Sequence, residues 1–342
     1  VTTTLTIGDF FRQTGAQAHY FDLGRRVVEI PAATMTAFEA AELPYPQPFL
    51  QAAWLGIAFH YPPDTEHHVW FLRLPLDEQG KLIQAARDDF LGRLMETAGA
   101  EASGALDDNP HGFKPRPERM AVFHAKVSRL LGQAPSQYYP HAREYFQGTP
   151  GFEQWNFVGL QGIADVAARL DEDDTAAVLA RALPHLPATP FQALCGCLEN
   201  EAIGPDLGQA LAARLDTELA AGDAINVAAA IRGFSLCTNR RLVTETLYKV
   251  LDSELGRHVE VLAAIAGRAW EALKEPALQG RFLERLAGCE AGQQAFDGIL
   301  ADLLFMPGLR EPLWQSLRRP ERSQHLAAAL GTFLQHATHN AK

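Results

Sequence analysis

The densest set of side chains suited to holding an anion lies between positions 111 and 143. It comprises His111, Lys114, Arg116, Arg119, His124, Lys126, Arg129, His141 and Arg143, with Tyr138, Tyr139 and Tyr145 among them. Guanidinium and ammonium groups grip phosphate, and interleaved aromatic rings can stack bases, so the pattern fits an RNA- or ribosome-associated factor. On a helix opening at Pro117, Arg119, Lys126 and Arg129 fall within an arc of about 80°, flanking the apolar face rather than opposing it. The helix start itself attracts negative charge. The competing reading is structural: a local basic stretch in an acidic protein meets the protein's own carboxylates. The histidines carry a third possibility, an enzyme with a cleft between its N-terminal and C-terminal domains in which His111, His124 or His141 is a general base, because imidazole titrates near neutrality.

Other patterns carry less chemistry. Cys195 and Cys197 are two apart, so on a helix their thiols point away from each other, and they read as small core residues. His336 and His339 are correctly spaced for chelation on a helix but lack a third ligand. His67 and His68 alternate faces on a strand. Asp171, Glu172, Asp173 and Asp174 lack the alternating ligands of a calcium loop, and read as a solvated turn whose last acid caps the next helix. Phosphate-loop, dinucleotide, zinc-protease and nucleophile-elbow motifs are absent from the sequence. No cofactor and no metal are expected.

The 342 residues carry a net charge of −11, with 47% hydrophobic and 21% charged side chains. That composition excludes a disordered chain, a collagen, a small disulfide scaffold and a basic nucleic-acid packager. Only residues 101–150 carry more basic than acidic side chains, six against five. Four scattered cysteines and an opening with neither a basic start nor an apolar run point to a reducing compartment, most simply the cytoplasm. The uncharged stretch 43–63 contains five prolines and a short apolar part, so no membrane span is expected.

The chain around these residues divides into three stretches. Residues 1–100 predict a small α+β domain with antiparallel strands: helix 7–13, strands 17–22 and 26–30 turned at Gly24, helix 31–41, strands 52–61 and 67–74, and helix 81–97. Residues 101–150 predict a helical bridge, with a loop at 100–116 and helices 117–131 and 136–146. From 151 to 342 the chain is rich in Ala and Leu at helical spacing, as in Val259, Leu262, Ala266, Ala269 and Leu273. Helix pairs open near Trp155, Pro190, Asp223, Arg257 and Ala291, at intervals of about 35, 33, 34 and 34 residues. Such a period predicts a HEAT-like α-solenoid of about five hairpins plus a C-terminal cap helix near Arg322.

The segments GRRV, LDEQG, AARDDFL, NPHGFKPRPERMAVFHAK, SQYYPHAREYF and GLQGIADVAARLDEDD span residues from about 20 to 175. In them the chain resembles an uncharacterised bacterial family, a domain of unknown function about as long as the whole chain. The resemblance implies a cytoplasmic bacterial protein of single-family architecture and transfers no activity, cofactor or catalytic residue. The expected function is therefore a non-enzymatic binding protein, which holds a protein partner on successive first helices of the solenoid. Asp165, Asn226, Arg232, Glu260 and Arg268 are the candidates for lining that surface.

Overall fold

Four runs rich in aromatic and branched residues pair into one antiparallel sheet: β1 (Gln17–Asp22), β2 (Val28–Ile30), β3 (Ala52–His60) and β4 (His68–Pro75). Their order is β2-β1-β3-β4, and the register aligns Tyr20 with Ile57 and Ile57 with Trp70. Side chains alternate across a sheet, so Tyr20, Leu55, Ile57, Phe59, Trp70 and Leu72 share one face. That face is buried under Ile7 and Phe11 of α1 (Ile7–Thr14), Met35 and Phe38 of α2 (Ala32–Glu39), and Phe90 and Leu94 of α3 (Gln84–Thr97). The other face carries Phe21, Gly56 and Phe71. There Phe123 of α4 (Pro117–Leu130) packs edge-on against both Phe21 and Phe71, with ring centroids 5.3 Å away in each case. A Cβ on Gly56 would lie 2.8 Å from the Phe123 ring, so the glycine permits this approach.

In the computed structural model residues 5–64, 66–97 and 109–340 are described. They divide into two compact units, Val1–Leu131 with Phe305–Pro307, and Gly132–Leu304 with Gly308–Lys342. The stretch 101–150, expected as a bridge, is shared between them: α4 joins the first unit because its apolar face covers the back of the sheet. Residues 100–108 of the expected loop and the His339 side chain lie outside the described residues. After the loop, Gly112 and Phe113 run beside β4, with the Phe113 N–H donating to Phe71 O at 3.1 Å.

At the end of β1 the buried carboxylate of Asp22 accepts hydrogen bonds from Tyr45 Oη (2.8 Å) and from the backbone N–H of Gly24, Arg25 and Arg26. Burial pushes its pKa up to about 6, against the pull of those bonds. An acid held more tightly protonated in the folded state stabilises fully below its unfolded pKa of about 4, and this contribution is lost as pH rises through 6. The loss amounts to about 3 kcal/mol. We therefore expect the urea midpoint of the native chain to fall between pH 4 and pH 6.5 relative to that of Asp22→Asn. Parallel curves for the two proteins would remove the assignment.

The second unit is helical throughout its regular elements: α5 (Tyr139–Phe146), α6 (Leu160–Ala167), α7 (Thr175–Ala182), α8 (Ala188–Leu198), α9 (Pro205–Ala221), α10 (Ala224–Phe234), α11 (Arg240–Asp252), α12 (Val259–Arg268), α13 (Pro276–Ala287), α14 (Gly292–Leu304), α15 (Arg310–Leu317) and α16 (Gln324–Asn340). The even-numbered helices α6 to α16 each pack on the next, as do the odd-numbered helices α5 to α15. Local chemistry sets many of the starts. Asn239 caps α11, while Glu275 caps α13 by accepting from the N–H groups of Ala277 and Leu278, with Pro276 in the first turn. Three expectations need correction. Residues 155–157 form only a single 3-10 turn, and the helix begins at Leu160. The helical run from Val259 breaks at Ala269 and tightens into a 3-10 segment at 270–274. Asp174 stands at the start of α7 with left-handed backbone (φ 56°) and makes no capping bond. Its carboxylate instead faces Arg143 and Arg181, because the turn points it away from the helix axis.

Candidate functional site

The basic residues singled out between 111 and 143 are largely tied to local partners. His111 Nε2 lies 3.1 Å from Asp89 Oδ2, and hydrogen bonds from Arg93 and His111 lower the pKa of that aspartate. Arg119 donates to Arg25 O at 2.8 Å, beside the buried Asp22. His124 is half-buried on α4, where burial holds its pKa below the ordinary imidazole value. Lys114, Arg116 and Arg129 are exposed, and Lys126 is half-buried. In the second unit His141 is exposed on α5, and Arg143 donates to Tyr139 Oη (3.1 Å), Asp173 Oδ2 (3.2 Å) and Asp173 O (2.8 Å). The structure thus divides these nine residues between the two units, where acids and carbonyls of their own unit engage several of them.

The residues expected to line a helical surface behave differently from one another. Glu260 is exposed. Asp165 and Asn226 are buried, contrary to expectation. Asp165 accepts from the Ser136 N–H at 3.0 Å and pairs with Arg169 at 3.6 Å. Asn226 accepts from Gln192 at 2.8 Å and donates to Glu218 and Asp223 at 3.2 and 3.1 Å. Arg232 and Arg268 converge on the buried Glu199, at 2.6 and 2.9 Å. A helix packed between two neighbours buries more than its apolar stripe, so polar residues beside the stripe become ties between helices.

A different set of residues meets in open space. A cavity of about 820 Å³ in the second unit is lined by Arg257, Arg281, Glu284, Arg285, Gly288 and Gly292, with Ser323 and His325 of the α16 region among the remaining walls. Arg281 and Arg285 lie four apart on α13, so they share a face. Arg257 comes from the turn before α12 and would touch a Cβ on Gly288 at 3.5 Å from its Nε. Glu284, the only acid lining the cavity, is already engaged: it accepts from the Ser323 N–H (3.0 Å) and Oγ (2.6 Å), while Ser323 Oγ accepts from the Leu326 N–H and caps α16. Arg281 pairs with Asp252 at 3.3 Å. Among the described residues neither Arg257 nor Arg285 has a carboxylate partner, and Arg285 Nε is buried with no hydrogen-bond acceptor. His325 Nε2 donates to Ala287 O at 2.8 Å.

This arrangement can hold an anion. Guanidinium groups present paired N–H donors that match carboxylate and phosphate oxygens. The sequence pattern that could have revealed it is the Arg281–Arg285 spacing followed by Gly288 and Gly292, but nothing local links that pattern to Arg257 or to α16. Among the described residues no group of three or more His, Cys, Asp or Glu side chains is placed to hold a metal ion, and no helix is long and apolar enough to cross a membrane. Over residues 2–334 the chain matches the family described as "Protein of unknown function (DUF3549)". No curated protein and no solved structure matches it.

Proposed function

We propose that this chain, which belongs to the DUF3549 family of proteins of unknown function, is a non-enzymatic binding protein that holds an acidic segment of a partner protein in the cleft of Arg257, Arg281 and Arg285. The observation that carries this reading is the imbalance of charge. In a chain of net charge −11, three arginines face one cavity whose single acid is already engaged by Ser323. The helix pairs before the cleft supply the scaffold. Even-numbered helices pack on one another and odd-numbered helices likewise, the arrangement expected of stacked hairpins in a HEAT-like α-solenoid, where each pair buries its neighbour's apolar face. The cleft's lining has no Phe, Tyr or Trp ring, so bases lack the broad stacking platform usual in RNA sites, which weighs against RNA there. The four cysteines are free and buried, in keeping with work in the reducing cytoplasm.

The test is calorimetric titration with a glutamate-rich peptide of about twelve residues and with its glutamine counterpart, a length suited to the span of a helical-repeat groove. Saturable binding of the glutamate peptide that weakens as salt rises, with no binding of the glutamine peptide, is the expected result. If the two peptides behave alike, the cleft does not read charge and the proposal fails.

A further inference from the structure

The cleft offers more than positive charge, and its donors are arranged for a particular anion. Resting on the reading above, we infer that the group it selects is a phosphate monoester carried on the bound segment.

Two features favour phosphate over carboxylate, and a third favours a carrier larger than the anion itself. First, two guanidiniums, Arg257 and Arg285, have no carboxylate partner among the described residues, whereas Arg281 is shared with Asp252. Two unspent positive charges match the roughly −1.5 to −2 of a phosphate monoester near neutrality better than a single carboxylate. Second, donors approach from more than one side. Arg285 contributes a buried Nε–H with no acceptor. Arg257 reaches the cavity from a different element, the turn before α12. A phosphate has three terminal oxygens and accepts from several directions, whereas a carboxylate accepts in one plane. Third, the cavity of about 820 Å³ is far larger than one phosphate group, and Ala287, Ala328 and Ala329 supply an apolar wall for the chain that bears it.

The experiment compares four probes on the intact chain by calorimetry: a phosphoserine peptide, the same peptide with glutamate at that position, glucose 6-phosphate and inorganic phosphate. The phosphoserine peptide is expected to bind at least tenfold more tightly than the glutamate peptide and than either small phosphate. In Arg257→Gln/Arg285→Gln its affinity should fall about 100-fold, the effect of removing two charge-assisted contacts. Arg257 is exposed, so Arg257→Gln alone, expected to lose about tenfold, keeps the test open if the double variant does not fold. Equal affinity for the phosphoserine and glutamate peptides overturns the phosphate inference and leaves the acidic-segment reading standing. Glucose 6-phosphate binding as tightly as the phosphopeptide supports the phosphate monoester and overturns the protein segment as its carrier. No binding of any probe overturns both.

Discussion

Glu199→Ala is expected to cost about 3 kcal/mol or more of folding stability, the largest single effect we foresee in the second unit. Glu199 is 1% exposed at the end of α8. Its two oxygens reach Arg232 Nε of α10 at 2.6 Å and Arg268 Nε of α12 at 2.9 Å, so one carboxylate ties three neighbouring even-numbered helices, α8, α10 and α12. Truncation leaves two guanidiniums facing the same buried point without the charge that brought them there. Breaking a buried ion pair from one side typically costs about 3–5 kcal/mol. The lower end applies here because the Arg232 side chain is 42% exposed and can turn toward water. Glu199→Gln keeps the shape and loses the charge, so it should fall between the native chain and the alanine variant. In Glu199→Ala/Arg232→Ala/Arg268→Ala no stranded charge remains, and part of the loss should return. Urea unfolding of the four proteins decides the matter. An alanine variant within about 1 kcal/mol of native, the scale of an exposed salt bridge, would mean that the tie contributes little.

The second large effect concerns the cysteines. Gly208 of α9 faces the buried Sγ of Cys237, and a Cβ placed at Gly208 would fall well inside the van der Waals shell of that sulfur. Gly208→Ala should therefore cost about 2 kcal/mol through overpacking. Cys237→Ala alone opens a small void and should cost about 1 kcal/mol. Combined, the new methyl occupies the space the sulfur left, so the double variant should be more stable than the sum of the two losses predicts, by about 1–2 kcal/mol. Gly233 supplies the contrast. A Cβ there would lie 3.0 Å from Cys195 Sγ but also 3.2 Å from its Cα, which no side-chain change can move. Cys195→Ala should therefore rescue Gly233→Ala much less. Simple additivity at the 208–237 pair, read from denaturant midpoints, would show that the sulfur is not the constraint. Both sites place the thiols as spacers between closely packed elements, and burial raises the pKa of Cys195 and Cys197, keeping them unreactive.

Where the controlling physics is local, the elements were legible before the fold was known. Short runs rich in aromatic and branched apolar residues at 17–22, 52–61 and 67–74, bounded by turn residues, specify strands, because such side chains fit a pleated, buried surface. Glu275 followed by Pro276 specifies a helix start, because one side chain and one ring satisfy the geometry without help from elsewhere. Chain order also sufficed for the succession of a small mixed unit and a long helical one. Periodicity was less informative about burial. It identifies the apolar stripe of α6 and α10, but Asp165 and Asn226 lie beside that stripe and are buried by second and third neighbours.

The cleft lay beyond the reach of local reading. Arg257, Arg281 with Arg285, the start of α14, and Ser323 with His325 come from four places in the chain, and none of them alone differs from an ordinary solvated charge or cap. What sets them apart is that Glu284 is captured by Ser323, which depends on where α16 docks against α13. The basic stretch 111–143, conspicuous as a string of residues, is partly quenched by Asp89, Asp173 and the carbonyl of Arg25. Side-chain type and spacing along one helix or strand are written in the order of residues. Whether a charge meets a countercharge depends on which distant segments pack together, and that is decided by burial of the whole chain.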